Sequence, residues 1–166
     1  MKTRIMATAV VVAGLAVTGV AKADPVNPHE LVTVTARTYS AGYCGFPIYS
    51  EPERSKNFVL DRTTNPDGTE IEETRGQLIR TLTNTLTGKS IQVNLSGPGR
   101  MTTYPDRSYV VEGSGGWILL IPRRFGYDVP VIAVTSGKFT YAYDPNTDTL
   151  NWSGHGALRD VCAELS

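Results

Sequence analysis

Cysteine is scarce in this chain: two in 166 residues, Cys44 and Cys162, with no C-x-x-C pair. Histidine also occurs twice, as His29 and His155, too far apart for an H-x-x-x-H step. These shortages exclude a zinc pattern, and no metal or cofactor is implied. Long apolar runs are missing too. The uncharged, apolar run Met6 to Val20 is 15 residues, short of the roughly 20 that a spanning helix requires. An excess of charge is absent, with 16 Lys+Arg against 16 Asp+Glu. Helical periodicity is lacking except near the C-terminus.

What is present begins with a leader. Lys2 and Arg4 precede the uncharged run, and Ala21-Lys22-Ala23 sets small residues before Asp24-Pro25. That is the pattern of a secretory signal over 1–23, so the mature chain is expected outside the cytoplasm, with no membrane span after cleavage. Losing Lys2, Arg4 and Lys22 leaves 13 bases against 16 acids. A weakly acidic domain is poorly suited to hold nucleic acid by bulk charge. In an oxidising compartment two lone cysteines are expected to pair, which would tie the region around Cys44 to the end of the chain.

After the leader, 24–43 reads as a flexible lead-in and first strand, and 44–166 as one β domain. Seventeen Thr lie beyond residue 23, a β-branched type that favours strands. Ile91, Val93 and Leu95 alternate with Gln92 and Asn94, one greasy face and one wet. Gln77 to Leu86 repeats the pattern with Leu78, Leu82 and Leu86. Arg80 and Asn84 fall on that leucine face, which suggests either a barrel mouth or a bulge that flips the register. Turn signals recur at Asn65-Pro66-Asp67-Gly68, Thr87-Gly88-Lys89, Tyr104-Pro105-Asp106-Arg107, Gly113-Ser114-Gly115-Gly116 and Asp144-Pro145-Asn146-Thr147. Strands are expected at Phe58–Arg62, Thr69–Thr74, Ser108–Glu112, Trp117–Ile121 and Thr149–Trp152. Val131–Tyr143 is expected to fold back at Ser136-Gly137-Lys138. The fold class is all-β, a single antiparallel meander forming a barrel or a sandwich. Gly156 to Leu165 reads as a last strand or one short helix.

The A-x-A leader, Cys44-Gly45-Phe46-Pro47, Asn94-Leu95-Ser96-Gly97-Pro98-Gly99, Tyr143-Asp144-Pro145 and the Gly154-His155-Gly156…Asp160-Val161-Cys162 ending together resemble a group of small secreted actinobacterial proteins of uncharacterised function. The resemblance implies secretion and a β-rich domain with one cysteine pair, and it assigns no catalytic residue.

Motifs for chemistry are few. Ser114 follows Glu112-Gly113, so G-x-S-x-G is not formed. Asp144, Asn146 and Asp148 alternate as in a calcium loop, but Thr149 stands where that loop needs Gly and His155 where it needs Glu. General acid–base work by His155 would need an orienting carboxylate such as Asp160. Paired carboxylates would come from Glu70, Glu72, Glu73 or Glu112. The segment Pro122 to Pro130 joins two apolar strands, and its Arg123 and Arg124 beside Phe125 and Tyr127 form a candidate ligand grip, the arginines taking an anion and the rings stacking. The expectation is a secreted, non-catalytic β domain that binds a ligand or partner through a loop cluster or barrel mouth. The alternatives are a small barrel-type enzyme with an internal cavity and an envelope-associated structural protein.

Overall fold

The structure, a computed structural model, describes residues 30–166. The leader over 1–23 and residues 24–29 of the expected lead-in lie outside the described residues. Twelve strands and two short helices follow one another. They are β1 (Glu30–Leu31), β2 (Arg37–Tyr39), α1 (Ala41–Cys44), β3 (Ile48–Thr64), β4 (Glu70–Asn84), β5 (Ser90–Asn94), β6 (Gly99–Thr103), β7 (Tyr109–Gly113), β8 (Ile118–Leu120), a 3-10 turn at Arg123–Phe125, β9 (Ile132–Thr135), β10 (Lys138–Asp144), β11 (Thr149–His155), β12 (Leu158–Asp160) and α2 (Val161–Leu165). All strand pairs are antiparallel, so the expected all-β class holds.

The long β3–β4 ribbon organises the molecule. Its first half carries β2 and β5 at its edges, and its second half carries β1 on one side and β6-β7-β10-β11 on the other. Two bulges in β3, between Pro52 and Arg54 and between Val59 and Asp61, re-aim the ribbon between these halves. Gly76 sits opposite Asn57 near the middle with φ +152°, and a Cβ there would overlap the Lys56 carbonyl oxygen. Only glycine permits that close approach.

A second sheet, ordered β12-β9-β8, lies between the two halves. Ile118, Leu120, Ile132 and Val134 of this sheet pack with Tyr39, Ile48, Leu82, Val93 and with Val161 and Leu165 of α2. Leu119 and Leu158 belong to the other face, against Val111, Phe139, Tyr141, Leu150 and Trp152. Covered on both sides, Ile132–Thr135 is buried at every position, which accounts for the unbroken apolar run Val129–Val134.

The barrel alternative is corrected here: the large sheet stays open, because the three-stranded sheet fills the space that closure would need. Two further expectations change. Ser136-Gly137-Lys138 does not close a hairpin; the chain crosses there from β9 in one sheet to β10 in the other. Arg80 and Asn84 mark neither a barrel mouth nor a register flip. Both bulges are in β3, β4 keeps its alternation, and both side chains are buried on the leucine face. Asn84 Nδ2 donates to the Leu165 carbonyl at 3.0 Å and its Oδ1 accepts from Leu86 N at 2.9 Å. Leu86, expected on that face, lies in the turn and is 72% exposed. The undecided C-terminal stretch contains both elements, β12 and then α2.

Cys44 and Cys162 form a disulfide, with Cα atoms 5.1 Å apart and a sequence separation of 118. It joins the end of α1 to α2, beside the first core cluster. No helix among the described residues is long and apolar enough to cross a membrane.

Candidate functional site

Register places one polar residue from each of five adjacent strands in a row. Glu73 on β4 faces Arg100 on β6, Arg100 faces Glu112 on β7, Glu112 faces Thr140 on β10, and Thr140 faces Ser153 on β11. Side chains alternate across a strand, so these five share the face turned away from the inserted sheet. Lys138 and His155, themselves a cross-strand pair, sit two positions along on the same face. Around them lies a depression of about 580 Å³, open to solvent and also lined by Leu60, Pro98 and Ser114.

The next row of residues is Thr74, Gly99, Gly113, Phe139 and Gly154. On the inner face Trp117 packs against Gly99 and Gly113, and a Cβ at Gly99 would overlap its ring, so packing on that face requires glycine there.

The electrostatics are mixed. Arg100 Nε lies 3.8 Å from Glu73 Oε1, with both side chains more than two-fifths exposed, so the contact contributes little to stability. Glu112 and Lys138 make no ion pair among the described residues. Two carboxylates, one guanidinium, one ammonium, one imidazole and two hydroxyls are therefore available on one surface. Such a set suits a ligand with many hydrogen-bonding groups and charges of both signs.

The sequence-derived candidates are distributed differently. Arg123, Arg124 and Phe125 form the 3-10 turn, but most of this segment is engaged within the fold. Arg124 Nη2 donates to Asp148 Oδ1 at 2.8 Å, and its guanidinium lies 4.4 Å from the centre of the Phe125 ring. Hydrogen bonds from Arg124 and Tyr143 hold the Asp148 carboxyl below the usual carboxylate range. Phe125 and Tyr127 pack into the second core cluster. The Tyr127 hydroxyl donates to the Leu150 carbonyl at 2.8 Å and accepts from Trp152 N at 3.3 Å. Of the four, Arg123 is exposed with no side-chain partner among the described residues.

His155 is exposed and makes no bond to Asp160, whose Oδ1 instead caps α2 by accepting from Ala163 N at 3.0 Å. Of the four glutamates, Glu73 and Glu112 meet in the depression, whereas Glu70 and Glu72 alternate onto the opposite face, where Glu72 accepts from Arg62. Sequence reading did not find Arg100, Lys138, Thr140 or Ser153. Their signal was weak, because isolated polar residues on a half-wet sheet are the ordinary case. No family model matches the chain, and neither a curated protein nor a solved structure shows significant similarity to it.

Proposed function

We propose that the chain is an exported, non-catalytic binding domain, released from its leader after Ala23, and that its ligand is polar and rich in hydroxyl and charged groups, such as a stretch of decorated polysaccharide. The observation that carries the reading is the aligned row Glu73–Arg100–Glu112–Thr140–Ser153 in an open depression of about 580 Å³. Export is supported by the basic, apolar and A-x-A order of 1–23 and by the Cys44–Cys162 disulfide, a bond typical of oxidising compartments. The mixed charge favours a zwitterionic or polyhydroxylated ligand over a nucleic acid.

A thermal-shift screen of the processed chain against neutral, acidic and amino-substituted polysaccharides tests the proposal. At least one should raise the melting temperature, and Arg100→Ala should weaken it about tenfold, the loss of one charged hydrogen bond. A screen without any shift, or an effect indifferent to Arg100, rejects the site.

One observation favours a second reading, an inverting glycoside hydrolase. Glu73 and Glu112 stand two strands apart, about 9.5 Å by strand spacing, near the upper end of the separation such enzymes use. Against it, neither carboxyl is buried, and burial is the usual way to keep a general acid protonated. Release of reducing ends that Glu112→Gln abolishes would turn the proposal toward this reading.

A further inference from the structure

On the opposite face, the first half of the β3–β4 ribbon and its neighbour β2 bring two arginines close together. Arg80 on β4 is 3% exposed, and its bonds go only to neutral acceptors. Nε donates to Ser50 Oγ at 2.7 Å, and Nη2 donates to the Thr35 carbonyl at 2.7 Å and the Ser50 carbonyl at 3.0 Å. A buried charge without a counter-charge is costly and uncommon. Burial and the neighbouring Arg37 both act to lower Arg80's affinity for its proton, so the two guanidiniums feel each other. Arg37 faces Ser50 across β2–β3 and lies 4.7 Å from the centre of the Tyr39 ring. Its guanidinium covers the ring face.

Beside this corner a cavity of about 250 Å³ opens toward the inserted sheet. Arg37, Arg75 and Asn57 contribute to its wall together with Leu78, Leu95, Trp117 and Ile118, and among the described residues no aspartate or glutamate lines it. Two guanidiniums and an aliphatic wall thus converge on one space, and neither Arg37 nor Arg75 forms an ion pair among the described residues.

We propose that this cavity binds an anionic amphiphile, its carboxylate or phosphate head received by Arg37 and Arg75, with buried Arg80 adding to the field, and its short acyl or aryl body lying along Leu78, Leu95, Ile118 and Trp117. The volume lies just below the range of drug-sized pockets, which fits a short body. A guanidinium receives either oxyanion with two parallel hydrogen bonds, and the apolar wall distinguishes an amphiphile from a free inorganic anion. The site lies across the sheet from the Glu73–Arg100–Glu112 row and does not depend on it.

Titration of the processed chain with octanoate, octyl phosphate, 1-octanol and inorganic phosphate, followed by calorimetry and tryptophan fluorescence in a Trp152→Phe background, tests this. Octanoate or octyl phosphate, or both, should bind at least tenfold more tightly than 1-octanol and inorganic phosphate, and the stronger of the two identifies the head group. Arg37→Gln, an exposed edge-strand change, should weaken that binding at least tenfold with the melting temperature retained, whereas Glu112→Gln on the opposite face should leave it unchanged. Equal binding of 1-octanol, equal binding of inorganic phosphate, indifference to Arg37→Gln or no binding of any of the four overturns the proposal.

Discussion

Tyr127 illustrates how a residue suited to ligand contact can serve the fold instead. It lies in a loop beside adjacent arginines, where an aromatic ring reads as a stacking surface. In the structure its ring is part of the second core cluster, and its hydroxyl satisfies both a carbonyl and an N–H of β11, the last strand of the large sheet. An edge strand with free main-chain groups invites pairing with another chain, and this hydroxyl occupies two of them. Tyr127→Phe is expected to cost about 1 kcal/mol, read as a lower urea midpoint. It should also promote self-association, seen by size-exclusion chromatography at rising concentration. An unchanged midpoint with unchanged elution would show that the hydroxyl has no such role. Arg80 makes the complementary point, since a residue that disturbs the sequence pattern proves buried and hydrogen-bonded to Ser50 and to two main-chain carbonyls.

Among the elements, the turns follow a shared design. Asp67, Asp106 and Asp144 each accept a hydrogen bond from the main-chain N–H two residues on, at 2.9, 2.9 and 2.8 Å. This is the turn geometry that aspartate favours. Hydrogen bonds from Thr69, Ser108 and Thr147 respectively hold the three carboxyls below the usual carboxylate range. Arg159 does the same for Glu164 in α2. A carboxyl depressed in the folded state binds fewer protons there than when unfolded. Its contribution is therefore fully present above the unfolded value, about 4, and is lost as the pH falls through the folded one. Urea midpoints should stay level from pH 7 to about 5 and decline below about 4, and Asp144→Asn should flatten part of that decline. A midpoint that holds at pH 3 would contradict the assignment. The turns were legible in the sequence because their residue types act locally. β6 was not, because Gly99-Arg100-Met101-Thr102-Thr103 shows no apolar alternation; its strand state comes from pairing with β4 and β7.

At the scale of the whole molecule, the disulfide and the inserted sheet act together. α2 ends the chain with Val161 and Leu165 buried in the first cluster, and Cys162 bonds it to Cys44 on α1. Replacing both cysteines by serine should lower stability by about 2–5 kcal/mol, the usual range for losing a native disulfide. The far-ultraviolet spectrum should remain that of a β protein, because the apolar contacts of α2 persist. Denaturation with and without reductant checks the magnitude, and hydrogen exchange should show residues 158–166 opening first. A change below about 0.5 kcal/mol would mean that the core alone holds the C-terminus in place.

The amino-acid order by itself determined the β class, the positions of most turns and the partnership of the two cysteines. Those follow from β-branched content, from Pro, Asp and Gly acting over a few residues, and from there being only one possible pair. Which strands join which sheet was decided by tertiary structure. An apolar run such as Val131–Val134 signals burial on two faces without saying what lies on either. The polar row across five strands likewise appears only when β4, β6, β7, β10 and β11 come into register, since its members are scattered from Glu73 to Ser153 along the chain. Cross-strand neighbours are set by pairing over long sequence separations, and no local pattern of residues encodes that pairing.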